Sequence, residues 1–269
     1  MERPSWAPES IDLERPSAAR IYDYLLGGSH NFAADRAVGD QVRAAMPDTP
    51  VQAQANRAFL RRAVRYLTGA GIRQFLDIGS GIPTQGNVHQ VAQQSAPDAR
   101  VAYVDIDPVA VAHSRAILAD DPRAAVTMAD LRQVDRILEH PDLRAVLDLD
   151  RPVAVLLVAI LHVIDDADDP FGIVSVLRDR LAPGSYVAVA HGTQDSRPEI
   201  AERLRQLSKR TTTPMTLRTR AEVAGFFDGW ELVEPGLVWA PQWRPDSPDE
   251  VGDHPEWSSN LVGVARKVP

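Results

Sequence analysis

Apolar residues recur along this chain at two different periods, and the change falls near residue 70. Before it they follow a helical spacing. Residues 20–46 read as mainly helical, with a break at Gly27-Gly28-Ser29. A longer helix follows. Thr49 can cap it, Pro50 suits the first helical position, and Leu60, Ala63, Val64 and Leu67 form one stripe before Gly69 and Gly71 stop it. After residue 73, short β-rich runs at 74–78, 101–104, 125–128, 153–159 and 186–190 alternate with amphipathic stretches. The helix after the second run begins at Asp107-Pro108, with Val109, Ala112, Ala116 and Ile117 inward. The helix before the fifth begins near Asp169-Pro170, with Val174, Leu177 and Leu181 inward. Runs with almost no polar alternation are strands buried on both faces. The pattern therefore predicts an α/β, doubly wound, mostly parallel sheet with 153–159 as a central strand.

The two ends depart from this rhythm. Residues 1–19 carry Pro4, Pro8 and Pro16 among charges and read as an arm. Near the other end, Ser196 opens a helix with Ile200, Leu204 and Leu207 inward, and Thr219-Arg-Ala-Glu222 has the form of a capping box. Runs at 230–233 and 261–266 are expected to pair antiparallel. Between them Pro241, Pro245, Pro248 and Pro255 mark a long surface loop. The expected division is an N-terminal arm and helical lid over residues 1–70 and a Rossmann-like domain over 71–269, forming one compact unit.

The composition of the 269 residues, 44% hydrophobic and 25% charged, allows one sizeable core. A formal net charge of −8 argues against non-specific nucleic-acid binding, which needs a positive footprint. With no cysteine, disulfides, thiolate nucleophiles and cysteine-bound zinc are excluded, and no histidine spacing supports a metal site. The longest apolar run, 153–161, is too short to span a bilayer, and no signal peptide is visible, so a cytoplasmic location is expected.

The chemistry concentrates where strands end. The first run leads into Asp77-Ile-Gly79-Ser80-Gly81, a turn whose glycines let backbone approach a ligand. A dinucleotide fingerprint would need glycine at position 84, where Thr84 stands after Pro83. A carboxylate at Asp77 would repel a pyrophosphate but suits an ammonium and a sulfonium. That difference favours S-adenosylmethionine over NAD, against the plainer reading of Asp77 as a turn cap. The second run ends in Asp105-Ile106-Asp107-Pro108. Asp105 can accept hydrogen bonds from ribose hydroxyls, while Asp107 before Pro108 reads as a helix cap. The third leads to Asp130-Leu131, where a carboxylate can meet an adenine amino group. The fourth and fifth lead to His162 and His191, each either a base for the methyl acceptor or a loop-holding side chain. The segment from Arg20 through Tyr22, Asp23, Tyr24, Gly27 and Gly28 to Phe32 is either a lid over the cofactor or a plain helix hairpin. Arg57, Arg61, Arg62 and Arg65 read as a solvated face, although Asn56-Arg57 can reach a substrate carboxylate.

Several stretches together resemble an actinobacterial S-adenosylmethionine-dependent methyltransferase family once described only as a domain of unknown function. They include Ala19-Arg-Ile-Tyr-Asp-Tyr-Leu-Leu-Gly-Gly28, Asn56-Arg-Ala-Phe-Leu-Arg-Arg62, Gly86-Asn-Val-His89, Tyr103-Val-Asp-Ile-Asp-Pro108 and Trp243-Arg-Pro245. The resemblance implies a seven-stranded sheet with a C-terminal antiparallel hairpin, and cofactor binding by class I methyltransferase positions. The expected cofactor-binding set is Asp77, Gly79, Ser80, Gly81, Asp105, Ile106, Asp130 and Leu131, with Tyr22 and Gly28 from the lid and Tyr24 helping to close it. His162 and His191 are the candidate bases. A small-molecule acceptor is expected. A non-catalytic S-adenosylmethionine-binding regulator and an NAD-dependent oxidoreductase are the rival readings.

Overall fold

Phe75, Leu76 and Ile78 are apolar on both sides of their strand, and only the middle of a covered sheet accommodates that. In the computed structural model, which describes residues 11–83, 86–209, 211 and 214–268, this strand is β1 (Gln74–Ile78). Residues 1–10 of the expected arm, and Thr84, lie outside the described residues. Among the described residues three helices precede the strand: α1 (Ala18–Leu25), α2 (Ala33–Ala45) and α3 (Thr49–Gly69). Then follow α4 (Val88–Ser95), β2 (Arg100–Asp105), α5 (Pro108–Leu118), β3 (Ala124–Met128), α6 (Val134–Leu138), α7 (Pro141–Val146), β4 (Ala154–Val158) and α8 (Pro170–Arg180). The chain continues through β5 (Tyr186–Gly192), α9 (Pro198–Ser208), α10 (Arg220–Gly225), β6 (Glu231–Leu232), β7 (Val238–Trp239) and β8 (Asn260–Arg266).

The sheet runs β3-β2-β1-β4-β5-β8-β6. Its first five strands are parallel, and β8 is antiparallel to β5, β6 and β7. Among the described residues it has eight strands rather than seven, the addition being the two-residue β7 on β8. Alternate residues of β4 feed opposite cores. Val155 and Leu157 pack with Leu138, Leu143 and Leu177, and Ala154 and Leu156 pack with Phe59, Val64 and Leu67 of α3. Among the described residues, no helix is long and apolar enough to cross a membrane.

Four local expectations change. Thr49 is the first residue of α3 rather than its cap, and its hydroxyl donates to the Met46 carbonyl (2.6 Å). In α5 the buried face is Val109, Ala110, Val111, Ser114 and Leu118, leaving Ile117 54% exposed. Its many alanines make the faces nearly equal in hydrophobicity, so spacing alone does not choose between them. The proline-rich stretch is not simply a surface loop. Trp243 is fully buried, edge-on to Phe59 (5.4 Å) and Tyr66 (5.8 Å). Arg62, expected in a solvated face, is 5% exposed and donates to the carbonyls of Trp243 (2.8 Å) and Ala240 (2.7 Å).

Helices α1 and α2 are tied to the start of α5 by a buried guanidinium and a hydroxyl. Arg20, 3% exposed, donates Nε to Asp35 (3.0 Å) and Nη1 to Asp107 (3.1 Å), and Nη2 to the Arg15 carbonyl. Ser17 donates its hydroxyl to Asp107 (2.6 Å) and its amide to Asp35 (2.9 Å). Asp107 also caps α5 as expected, accepting from the Val109 amide (2.8 Å).

Removing the indole that anchors residues 240–250 tests whether this stretch belongs to the core. Trp243→Ala is expected to cost about 3–5 kcal/mol in urea unfolding, the range for a buried tryptophan. A loss below 1 kcal/mol would show that the stretch contributes no core packing.

Candidate active site

In an open α/β sheet the strand carboxyl ends form a crevice where ligands bind. Here that crevice is a cavity of about 640 Å³, with Asp77, Gly79, Ser80, Gly81, Asp105 and Ile106 on its strand-end side. Gly79 follows β1 at φ 73°, and its amide donates to the Val104 carbonyl (2.8 Å). A Cβ at Gly79 would lie 2.6 Å from Ile160, so glycine is needed for space as well as for backbone angle. Gly81, at φ 67°, donates its amide to Asp105 (2.7 Å), and the Asp107 amide donates to the other Asp105 oxygen (2.8 Å). One carboxylate therefore holds the ends of both β1 and β2.

Asp77 differs. It is 6% exposed, and no donor among the described residues hydrogen-bonds its carboxylate. Burial pushes its carboxyl up to about 7, against the nearby Arg57 charge and with the Asp105 charge. Burial also raises Asp105, to about 6, opposed by hydrogen bonds from the Asp107 and Gly81 amides. Arg57, which lines the same cavity, sits where it lowers the Asp77 value.

The other expected residues divide. Tyr22 lines the cavity, accepting from Asn56 (3.1 Å) and donating to the Ala53 carbonyl (3.1 Å). Tyr24 does not line it and donates to Asp40 (2.7 Å). Gly28 is also outside the lining. A Cβ there would fall 2.0 Å from the Asp23 carboxylate, so Gly28 makes room for a turn instead of a ligand. Asp130 caps the turn after β3 and is gripped through both oxygens by Arg132, whose Nη2 donates to one (2.6 Å) and Nε to the other (3.0 Å). Leu131 is buried in the core, and of these three only Arg132 reaches the cavity.

The two histidines separate most clearly. His191 is fully buried, with Nδ1 donating to the Gly192 carbonyl (2.7 Å) and Nε2 accepting from Arg218 (2.9 Å). Neither nitrogen is available, and burial holds the ring well below the usual histidine range, so its expected role as a base is corrected to a structural one. His162 lines the cavity. Its Nδ1 accepts from the Gly192 amide (3.3 Å), which leaves the proton of the neutral ring on Nε2. Burial and the Arg218 charge lower it to about 4.

Two features have little signal in the sequence. Arg218, 2% exposed, donates to the carbonyls of Leu161 and Ile164 (both 3.0 Å) and to Asp166 (2.6 Å), fixing the loop that carries His162. A lone arginine before a capping box does not announce this. The second is the apolar wall from α2 and α9. Ile200 and Leu204 have helical spacing, but they face the cavity rather than solid core.

A family model described as S-adenosyl methyltransferase matches residues 4–268. A solved DUF574 family protein from Streptomyces avermitilis is 45% identical, with a TM-score of 0.91, covering 95% of this chain and 99% of that one. A candidate methyltransferase from Thermobifida fusca is 43% identical, with a TM-score of 0.92, covering 99% and 100%. Human N-acetylserotonin methyltransferase, solved with SAM, is similar in fold alone: 15% identity, TM-score 0.51, covering 95% and 64%. The ribosomal RNA small subunit methyltransferase H of Halorhodospira halophila is 38% identical over 63 residues, 23% of this chain and only 19% of that protein's length.

The raised Asp77 carboxyl makes stability depend on pH. Its folded value, about 7, exceeds the unfolded value near 4, so its proton stabilises the fold at low pH. That stability is lost as pH rises through 7. Asp77→Asn should therefore gain on the wild type by roughly 2 kcal/mol between pH 5 and pH 8 in urea unfolding. A pH-independent difference would mean that Asp77 is ionised throughout this range.

Proposed function

Because the chain belongs to the S-adenosyl methyltransferase family, and is thus an S-adenosylmethionine-dependent methyltransferase, we propose that Asp77 and the Gly79-Ser80-Gly81 turn hold the methionine end of the cofactor and that the acceptor is a small molecule. The observation that carries the placement is the Asp77 carboxylate, buried at the cavity wall without a hydrogen-bond donor among the described residues. Such a group is costly unless a cation completes it, and the cofactor's ammonium fits that need. Arg57, near Asp77, is suited to the cofactor's carboxylate. Asp105 lies where ribose hydroxyls would meet it, and the exposed Ile106 beside it offers an apolar face to a purine. Asp130 would reach an adenine amino group only on release from Arg132.

The cofactor supplies a methyl group on a positively charged sulfur. The protein's part is then alignment and exclusion of water. Tyr22 and Asn56 wall the cavity from the α1 and α3 side, and Arg20 pins that side to the rim. A small acceptor suits a cavity walled by α1, α2 and α9, and the net charge of −8 offers no general footprint for nucleic acid.

Binding of S-adenosylhomocysteine tests the placement. At about 100 times its dissociation constant it should stabilise the protein by about 2.7 kcal/mol in a thermal shift. Asp77→Asn and Asp105→Ala should each weaken that response while remaining folded. Wild-type affinity should rise with pH up to about 7 and then level, because only the Asp77 carboxylate pairs with an ammonium. Unchanged affinity in both variants would overturn the assignment. Label from methyl-labelled cofactor should pass to the low-mass fraction of a cell extract; label found only in RNA or protein would overturn the small acceptor.

A further inference from the structure

The cavity has two chemically different ends. Asp77 and Asp105 occupy one. At the other, Val42 of α2 and Met46 just after it, Ile200 and Leu204 of α9, and Met215 and Leu217 beyond it line the space. Ile200 and Leu204 are one helical turn apart and so share a face, and with Met215 and Leu217 they are only half-buried. His162 belongs to this end. Its carbonyl accepts from the Thr216 amide (2.7 Å), and a Cβ at Gly192 would touch both Leu217 (3.0 Å) and the His162 ring (3.7 Å).

Resting on the cofactor placement above, we propose that this apolar end holds the methyl acceptor, and that the acceptor is a largely apolar small molecule bearing an acidic oxygen, a phenol or carboxylic acid, which docks as its anion on the Nε2–H of His162. Apolar walls select an apolar body. The hydrogen bond from the Gly192 amide occupies Nδ1, so Nε2 is a donor and cannot take a proton. Among the described residues, His191 stands edge-on to the ring at 5.7 Å and is itself neutral, while the nearby Arg218 charge opposes a second proton on His162. An oxyanion in apolar surroundings needs such a donor and has lone pairs enough to accept from it while attacking, whereas a neutral amine must spend its single lone pair on the methyl group and would then leave the donor unsatisfied. The acceptor gives its proton to solvent before docking. Its oxygen lone pair then forms the new O–C bond, the C–S electron pair stays on sulfur, and no further proton has to leave. An oxyanion and a sulfonium neutralise one another in this step, which a low-dielectric chamber favours.

The full chain saturated with S-adenosylhomocysteine is titrated with 2-naphthol as the probe. The wild type should bind it. Leu204→Glu should bind it at least tenfold more weakly while keeping its S-adenosylhomocysteine affinity within twofold, which also shows that the variant folds. Absorbance of the bound naphtholate should show ionisation at higher pH, by about one unit or more, in His162→Phe, with partial recovery in His162→Gln, which retains an N–H donor. The proposal is overturned if S-adenosylhomocysteine binds but 2-naphthol does not, if Leu204→Glu binds the probe as tightly as the wild type, or if His162→Phe leaves its ionisation unchanged. Failure of the wild type to bind S-adenosylhomocysteine would instead overturn the cofactor placement, and this proposal with it.

Discussion

A buried guanidinium with two carboxylates holds the roof of the cavity to its rim. Arg20 is almost wholly removed from water, and so are Asp35 and Asp107. Desolvating three charges is expensive, and only close pairing offsets it. The geometry that provides the pairing also places α1 beside α2 and both against the start of α5. Asp107 serves two structures at once, capping α5 with one oxygen and receiving Arg20 and Ser17 with the other. The end of β2 and the N-terminal helices are thereby positioned by the same side chain. Loss of any partner would strand a charge in the interior and release the wall carrying Tyr22.

Electrostatic demand is distributed unevenly around the rim. Asp105 satisfies its oxygens with backbone amides and stabilises the loops after β1 and β2. Asp77, one strand away, has no such donor among the described residues, and burial raises its carboxyl to about 7. The first carboxylate ties two loops together, and the second keeps its charge demand at the cavity wall. The histidines divide in the same manner. His191 spends both nitrogens on Arg218 and Gly192, while His162 keeps one nitrogen at the cavity after the Gly192 amide has settled its tautomer. Neighbouring strand ends thus carry paired residues of one type, one structural and one facing the ligand space.

Legibility in the sequence followed the range of the interactions and how distinct the competing local choices were. The bounds of β1 were readable to the residue, because a continuous apolar run between a helix stop and a glycine turn has one solution. The Asp107 cap was readable because its partners lie two and three residues away. The inward face of α5 was not, since its alanines differ little in burial free energy. Arg62 and the proline-rich stretch were misread together: each looks solvent-facing alone, and only their contact across the fold buries both. Asp130 was expected to face a ligand, yet its neighbour Arg132 takes both its oxygens, a local contact that residue type and spacing do not specify.

What the sequence determined by itself is the α/β class, the nearly exact strand set, the strand-end acids, and a family whose members use S-adenosylmethionine. All of these are written in local periodicity and short motifs, where the interacting residues are neighbours in the chain. The tertiary structure alone decided which histidine reaches the cavity, which lid tyrosine faces inward, that Arg20 and Arg218 are structural anchors, and that α9 offers an apolar wall. Each of those outcomes depends on partners far away in the chain, from tens of residues to more than a hundred. A side chain's role there is set by which donor or acceptor has already claimed its atoms, and that exists only once the chain has folded.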